Sequence, residues 1–282
     1  MKKYAVLTMD VEDWYHLDYF LNSNNLDKTY SMLNGVDDYL YIMDRYGIKS
    51  TFFILGEIAE RISSKIKEIA SLGHEVACHG LIHKRPVLIG VDEFRRQIIC
   101  AKDILSNICG EDVSGYRAPS YGLDNDRFNV IKTLGFKYDS SRIKFTQHPL
   151  YGSFDISDFI EVKQGIYRKY DFFEFEVSTK ALFNFQLPIS GGGYFRLFPW
   201  TVTKHLIASY SKVADLYVFY IHPFELSNLN LPYIDGISQK TSFRANIGRN
   251  QVKKRLEKLI EFLKSQGYEF YIFKELREIL LS

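Results

Sequence analysis

No run of apolar residues in this 282-residue chain approaches the roughly 18 that a membrane-spanning helix requires, so no membrane span is expected. Cysteine is scarce. Cys78, Cys100 and Cys109 show no paired spacing, which argues against a disulfide scaffold and for a reducing compartment. An excess of one charge sign is also missing. The net charge is +2 with acids and bases interspersed, so no stripe for nucleic acid or another polyanion is visible. Linkers, low-complexity tracts and repeats are lacking too, and a single domain over residues 1–282 is the expectation. The opening stretch "MKKYAVLTMDVEDW" has too little apolar length before Asp10 for a signal peptide, and a cytoplasmic location is expected. No pattern in the chain sets an oligomeric state. Aromatic residues, by contrast, are abundant. The 20 Tyr and 22 Phe can fill a large core and still leave rings at the surface, where they suit sugar faces.

Apolar strand-like runs alternate with amphipathic helices. "YAVLTMD", "STFFIL", "EVACH", "FKYDSS", "DLYVFYIH" and "YEFYIF" read as strands. Between them, "VDDYLYIMDRYG", "EIAERISSKIKEIASLG", "VDEFRRQIICAKDILSNICG", "DNDRFNVIKTLG" and "NQVKKRLEKLIEFLKSQG" have helical periodicity and each ends at Gly. A last helix, "KELREILL", closes the chain. This alternation predicts an α/β fold built on parallel β/α units. Residues 17–35, 140–195 and 226–245 break the pattern. Long irregular segments in a compact domain are usually functional, so these three are assigned to the walls of a substrate groove.

Chemically loaded residues gather just after the strands, the usual active-site edge of such folds. They lie in "TMDVED", "HGLIH", "YRAPSY" and "FYIHP". His79 and His83 stand four apart and would project in one direction if that stretch were helical. Neutral imidazole is the commonest metal ligand, which makes a shared ion the first hypothesis. His74-Glu75 begins a near miss to the H-E-x-x-H protease motif, but Cys78 stands where its second histidine is needed.

The four stretches, in this order, resemble the polysaccharide deacetylases, the NodB-like carbohydrate esterase family 4. "DVEDWYH", "YRAPSY", "YDSS", "SGGGYFR" and "HPFE" are closest to its exopolysaccharide-locus branch. The resemblance implies a distorted (β/α) barrel and one divalent metal ion. Zinc is the first choice, with nickel or cobalt also fitting the ligands. It further implies a hydrolase that removes N-acetyl groups from an amino-sugar glycan and releases acetate. His79 and His83 match the family's metal pair. The third ligand is a carboxylate of the first motif; the reading favours Asp13 and leaves Glu12 open, because Glu12 shares the Asp10 face only if the strand continues. Asp10 matches the catalytic base, and Arg117 is its partner through a guanidinium fork suited to carboxylates. His222 matches the general acid, with Asp139 expected to orient it. Tyr121 lies where the family uses a backbone N–H to hold the oxyanion. Trp14, Phe195 and Arg196 are expected in the sugar groove, although both aromatics are by default core residues. Two other readings stand beside this one: a small-amide hydrolase on the same barrel, and a non-catalytic glycan-binding barrel.

Overall fold

Among the described residues of a computed structural model (2–20, 23, 26–145, 148–182 and 185–282), ten strands form a curled sheet with helices between them, and two more form a separate hairpin. The strands are β1 (Lys3–Val11), β2 (Thr51–Ile54), β3 (Glu75–Cys78), β4 (Gly115–Tyr116), β5 (Tyr138–Asp139), β6 (Ile160–Lys163), β7 (Ile166–Lys169), β8 (Phe172–Phe175), β9 (Thr179–Leu182), β10 (Phe185–Pro188), β11 (Leu216–Ile221) and β12 (Tyr268–Phe270). The main sheet runs β11-β1-β2-β3-β4-β5-β8-β7-β6, and β12 pairs with the start of β1. All pairs from β11 to β8 are parallel, while β8-β7-β6 is an antiparallel extension. β1 has paired neighbours on both edges, and its residues Tyr4–Val11 are buried. A strand covered on both faces must be apolar throughout, which explains the unbroken run "YAVL".

The curl gives two apolar layers. Inside it, Tyr4, Val6, Phe53, Tyr138, Val218 and Phe273 pack together. Outside it, the helices lay down one face each. Helix Val252–Ser265 buries Val252, Leu256, Leu259, Ile260 and Leu263, the stripe expected of a 3.6-residue repeat. The curl closes through the residues after β8. The Val218 N–H donates to Ser178 Oγ at 2.9 Å, and the Tyr220 N–H donates to the Ser190 carbonyl at 2.9 Å. Gly191 bridges to Tyr220 at this seam, where a Cβ would collide with the tyrosine ring. The architecture is the distorted barrel expected.

Two irregular segments carry more order than their sequences show. Residues 140–195 hold the antiparallel strands β6 to β8 and the β9-β10 hairpin. Residues 226–245 run into a helix, Gln239–Asn246, capped by Ser238, whose side chain accepts from the Thr241 N–H. Only Ala245 of that helix is buried, so it has no apolar stripe to read. Asp18, His148 and Phe243, one from each of the three segments, line the same cleft.

Candidate active site and metal centre

Parallel register brings the loaded strand ends to one edge. Met9 aligns with Ile221 and Phe52, Phe53 with Ala77, and Cys78 with Tyr116. Asp10, His79 and His222 therefore emerge side by side in a cleft of about 730 Å³, with Arg117 buried beside Asp10. Thr8 and Asp10 occupy alternate positions of β1 and share a face, and Glu12, just past the strand end, lines the same cleft as Asp10.

Glu12, His79 and His83 come together with ligand atoms within 4.8 Å of one another. The two histidines are not on a helical turn. After β3 the chain leaves regular structure at residue 79, passes Gly80 at φ 94° and bends over residues 81–84, and the loop folds His83 back beside His79. Glu57 fixes that loop by accepting from the His83 N–H at 3.1 Å. His79 Nδ1 lies 2.9 Å from the Arg117 carbonyl, so it carries the proton and leaves Nε2 as the free acceptor. Burial pushes the His79 imidazole down to about 4, which keeps it neutral. Glu12 Oε2 is buried and lacks a hydrogen bond, although His83 Nε2 lies 2.7 Å away. Burial works against the Glu12 carboxylate, but the charges of His83, His222 and His79 more than offset it and bring it to about 2. An orphaned carboxylate oxygen facing two imidazole nitrogens is a donor set suited to a divalent cation.

Asp13 is placed elsewhere. β1 ends at Val11, and the chain then turns into a short 3₁₀ helix, Trp14–His16, which Asp13 caps. Its Oδ1 accepts from the N–H groups of Trp14 (2.9 Å) and Met32 (2.8 Å), and Arg61 pairs with Oδ2 at 3.2 Å. The turn that could have carried Asp13 to the ion carries it away, and Glu12 takes the position beside the histidines.

Arg117, just after β4, is fully buried and ties β1 to the residue that follows β5. It donates to Asp10 Oδ1 (2.8 Å), Thr8 Oγ1 (2.7 Å), the Ser140 carbonyl (3.1 Å) and Ser140 Oγ (2.9 Å). Its guanidinium also lies over the Phe53 ring, 4.1 Å from the centroid. The "YDSS" stretch thus serves the arginine rather than the histidine. Ser141 Oγ accepts from the Ala118 N–H and donates to Asp139 Oδ1, and Glu174 lies alongside Asp139 on β8. Burial pushes Asp139 up to about 6, and burial with the adjacent Asp139 charge raises Glu174 as well, so the pair holds a proton between them.

His222 has a different carboxylate. Its Nδ1 is 3.1 Å from Glu225 Oε2, and its Nε2 points at Glu12 Oε1 at 3.5 Å. Glu225 is buried and held by Arg196 at 2.6 Å. Arg196 in turn donates to the carbonyls of Arg244, Ala245 and Ile247. Burial lowers the affinity of His222 for its proton, but the hydrogen bond to Glu225 and the charges of Glu12, Glu225 and Asp10 raise it to about 9. Gly192 of "SGGGYFR" follows from this packing, because a Cβ there would fall on the Glu225 carboxylate. Gly192→Ala is expected to cost roughly 1–3 kcal/mol through overpacking. A melting temperature unchanged from the parent chain would contradict this.

The remaining expectations divide. Arg196 lines the cleft but is committed to Glu225. Phe195 is core, edge-on to Phe219, and Trp14 is core, its Nε1 donating to the Tyr30 carbonyl. Tyr121 lines the cleft at φ 54°, yet its N–H donates to the Ala118 carbonyl at 3.0 Å and is not free for an oxyanion. Glu225 and Glu57 were missed. Glu225 had a readable signal, standing three residues after His222 in "HPFE"; Glu57 had none.

Residues 23–138 match the polysaccharide deacetylase family, and residues 140–276 match a domain of unknown function, DUF3473. The likeness to the polysaccharide deacetylases is thus carried by residues 23–138. It is 27% identical over 117 residues to the peptidoglycan deacetylase of Helicobacter pylori, covering 42% of this chain and 40% of that protein. The chain spans less than half the length of the curated relatives it matches. Among solved structures, a candidate polysaccharide deacetylase from Mycobacterium smegmatis superposes with a TM-score of 0.62 at 20% identity, over 99% of this chain and 91% of that one. A family 4 pseudoenzyme from Bacillus anthracis superposes with a TM-score of 0.56 at 14% identity, over 98% of this chain and 66% of that one. The fold therefore does not decide activity, and the site must be argued from its own residues.

Proposed function

We propose that the chain is a metal-dependent hydrolase that removes N-acetyl groups from an amino-sugar polysaccharide or oligosaccharide and releases acetate. The observation that carries the reading is one cleft holding three arrangements together: the Glu12, His79 and His83 donors, the Asp10–Arg117 pair and the His222–Glu225 pair. A divalent ion held by Glu12, His79 and His83 would polarise the acetamide carbonyl and acidify the attacking water. Two histidines and a carboxylate suit zinc, and nickel or cobalt fits them as well.

The chain's own groups divide the proton work. Asp10, held by the buried Arg117, accepts the proton of the attacking water. His222 is imidazolium at neutral pH and donates to the departing amine, which leaves poorly as an anion. Glu225 holds His222 in orientation and charge. An open cleft walled by residues from all three irregular segments favours a glycan over a small amide. The paired Asp10–Arg117 and His222–Glu225 groups favour catalysis over mere binding. The "SGGGYFR" and "HPFE" motifs support a place in exopolysaccharide biosynthesis, and the three free cysteines support the cytoplasm. Cell fractionation that finds the protein outside the cytoplasm would refute the last point.

The test is acetate release across a panel of N-acetylated glycans, with and without a chelator. Release that stops with the chelator and returns with the ion is expected. Asp10→Asn should keep its metal and lose about 100- to 10,000-fold in turnover, the usual contribution of a proton-transfer group. No release from any glycan in a metal-replete preparation would defeat the proposal.

A further inference from the structure

We infer that Asp18 and Ser120 form a hydroxyl-binding subsite beside the metal centre, in which the second oxygen of Asp18 accepts a hydrogen bond from a hydroxyl of the acetamido sugar. The inference rests on the deacetylase reading only for the identity of that sugar. Four carboxylates line the cleft among its described residues: Asp10, Glu12, Asp18 and Glu225. Three of them are compensated. Asp10 pairs with Arg117, Glu225 with Arg196 and His222, and Glu12 faces the imidazoles that complete the donor set for an ion. Asp18 is held differently. Its Oδ1 accepts from the Ser120 hydroxyl at 2.9 Å, and it forms no ion pair among the described residues. Its other oxygen makes no hydrogen bond there and stays open to the cleft. Asp18 is half-buried, and that burial raises its affinity for a proton. A carboxylate drawn partly out of water with one neutral donor is incompletely satisfied.

The anchor of Asp18 is strained. Ser120 has φ 51° and Tyr121 φ 54°, so two successive residues with side chains adopt the left-handed conformation. Such backbone persists where the surrounding structure holds it, and it clusters at ligand sites. Here the strained turn carries the Ser120 hydroxyl from the end of β4 to Asp18 in the segment after β1. Both residues line the cleft with Asp10, His79, His83 and His222. The Asp18 charge acts on His83, which sets the carboxylate near the metal donors. It is not one of them: Glu12, His79 and His83 meet within 4.8 Å of one another without it. A sugar whose acetyl group reaches the ion therefore brings its own hydroxyls to Asp18. A hydroxyl satisfies the carboxylate without a cation, through a charge-assisted bond about twice as strong as a neutral one.

The experiment titrates the metal-loaded Asp10→Asn chain, in which turnover is slow, by calorimetry with an oligomer of N-acetylglucosamine. Two further oligomers lack, in turn, the ring hydroxyl beside each acetamido group and the primary hydroxyl of each sugar. Adding Asp18→Asn keeps an oxygen for Ser120 and removes the charge, so a mere tether between the two segments would survive it. The change should weaken binding of the full oligomer about tenfold at unchanged metal content and melting temperature. One deoxy oligomer should bind about tenfold more weakly than the full one when Asp18 is present. Asp18→Asn should add nothing to that loss, because the two changes remove the same bond. KM values measured with Asp10 intact should show the same pattern. Full affinity in Asp18→Asn, or losses that multiply with both deoxy oligomers, would overturn the subsite. Metal loss in Asp18→Asn would overturn it too, by assigning Asp18 to the ion. Acetate is measured separately. A hydroxyl-dependent loss at Asp18 without acetate release from any oligomer would count against the deacetylase reading and leave the subsite standing.

Discussion

Glu12→Gln will strip the divalent ion from the protein, while Asp13→Asn will leave it bound. A neutral amide in place of Glu12 removes the charge of a three-donor set and leaves two imidazoles to hold the ion. Changes that merely reorient a ligand cost about 10- to 100-fold in metal affinity, so loss of the ligand itself should exceed roughly 100-fold. Metal analysis should fall from about one ion per chain, the stoichiometry of a mononuclear site, to near zero. Asp13→Asn acts on the fold instead. It keeps a capping oxygen at the start of Trp14–His16 but removes the charge paired with the partly exposed Arg61, at a cost of up to about 1 kcal/mol. The readout is a lower melting temperature with full metal content. Metal loss in Asp13→Asn with retention in Glu12→Gln would reverse the assignment.

The second large effect belongs to Glu225. His222 is raised to about 9, first against burial, by the hydrogen bond and charge of Glu225 together with the charges of Glu12 and Asp10. A cation on Glu12 offsets that residue's share, which leaves Glu225 as the main support. Because the acid must be protonated, activity falls as pH rises through the His222 pKa. Glu225→Gln lowers that pKa, so the alkaline limb of the rate profile should move toward acid. Asp139→Asn should leave the limb in place, since Asp139 bonds to Ser141 and not to His222. A limb that moves with Asp139 and ignores Glu225 would refute the relay. His222→Ala should lose about 100- to 10,000-fold, most on substrates with the poorest leaving amine.

Glu225→Gln should also destabilise the fold, because it leaves Arg196 buried and uncompensated. Breaking a buried pair in this way costs roughly 3–5 kcal/mol. The pH window follows from the two shifts. Burial opposes the Glu225 charge, but Arg196 and His222 hold its pKa at about 2 against an ordinary 4.5. Its contribution is therefore complete above about 4.5 and lost as pH falls toward 2. The His222 contribution is complete below its ordinary 6.5 and lost as pH rises through about 9. Denaturant midpoints across pH should show both flanks in the parent chain; in Glu225→Gln the acid flank should be lost and the alkaline flank should move to lower pH.

Much of the architecture was legible in the residues alone. Apolar runs such as "YAVL" and "DLYVFYI" became the buried, paired strands β1 and β11, and Gly47 and Gly110 ended helices in the left-handed conformation. These signals are local. A strand covered on both faces must be apolar, and a helix end favours a residue without Cβ. The polar residues that interrupt those runs also marked the site. Asp10, His79, Arg117 and His222 could be named before any contact was known, because parallel strands put their C-terminal ends on one edge.

The choices between neighbours were not legible. Glu12 or Asp13 depends on where β1 stops, and that turn is held by the Met32 N–H and by Arg61, far along the chain. The partner of His222 was sought 83 residues upstream and lies three residues downstream, selected by Arg196 and by the absence of a side chain at Gly192. The order within residues 140–195 escaped for a related reason: β6 and β9 are largely exposed edge segments whose side chains carry no periodic burial. Amino-acid order determined which segments are buried and which polar groups stand at their ends, since solvent transfer acts on each residue where it is. Which carboxylate meets which cation was decided only in the folded chain, because a buried charge is tolerated solely where distant residues supply its partner.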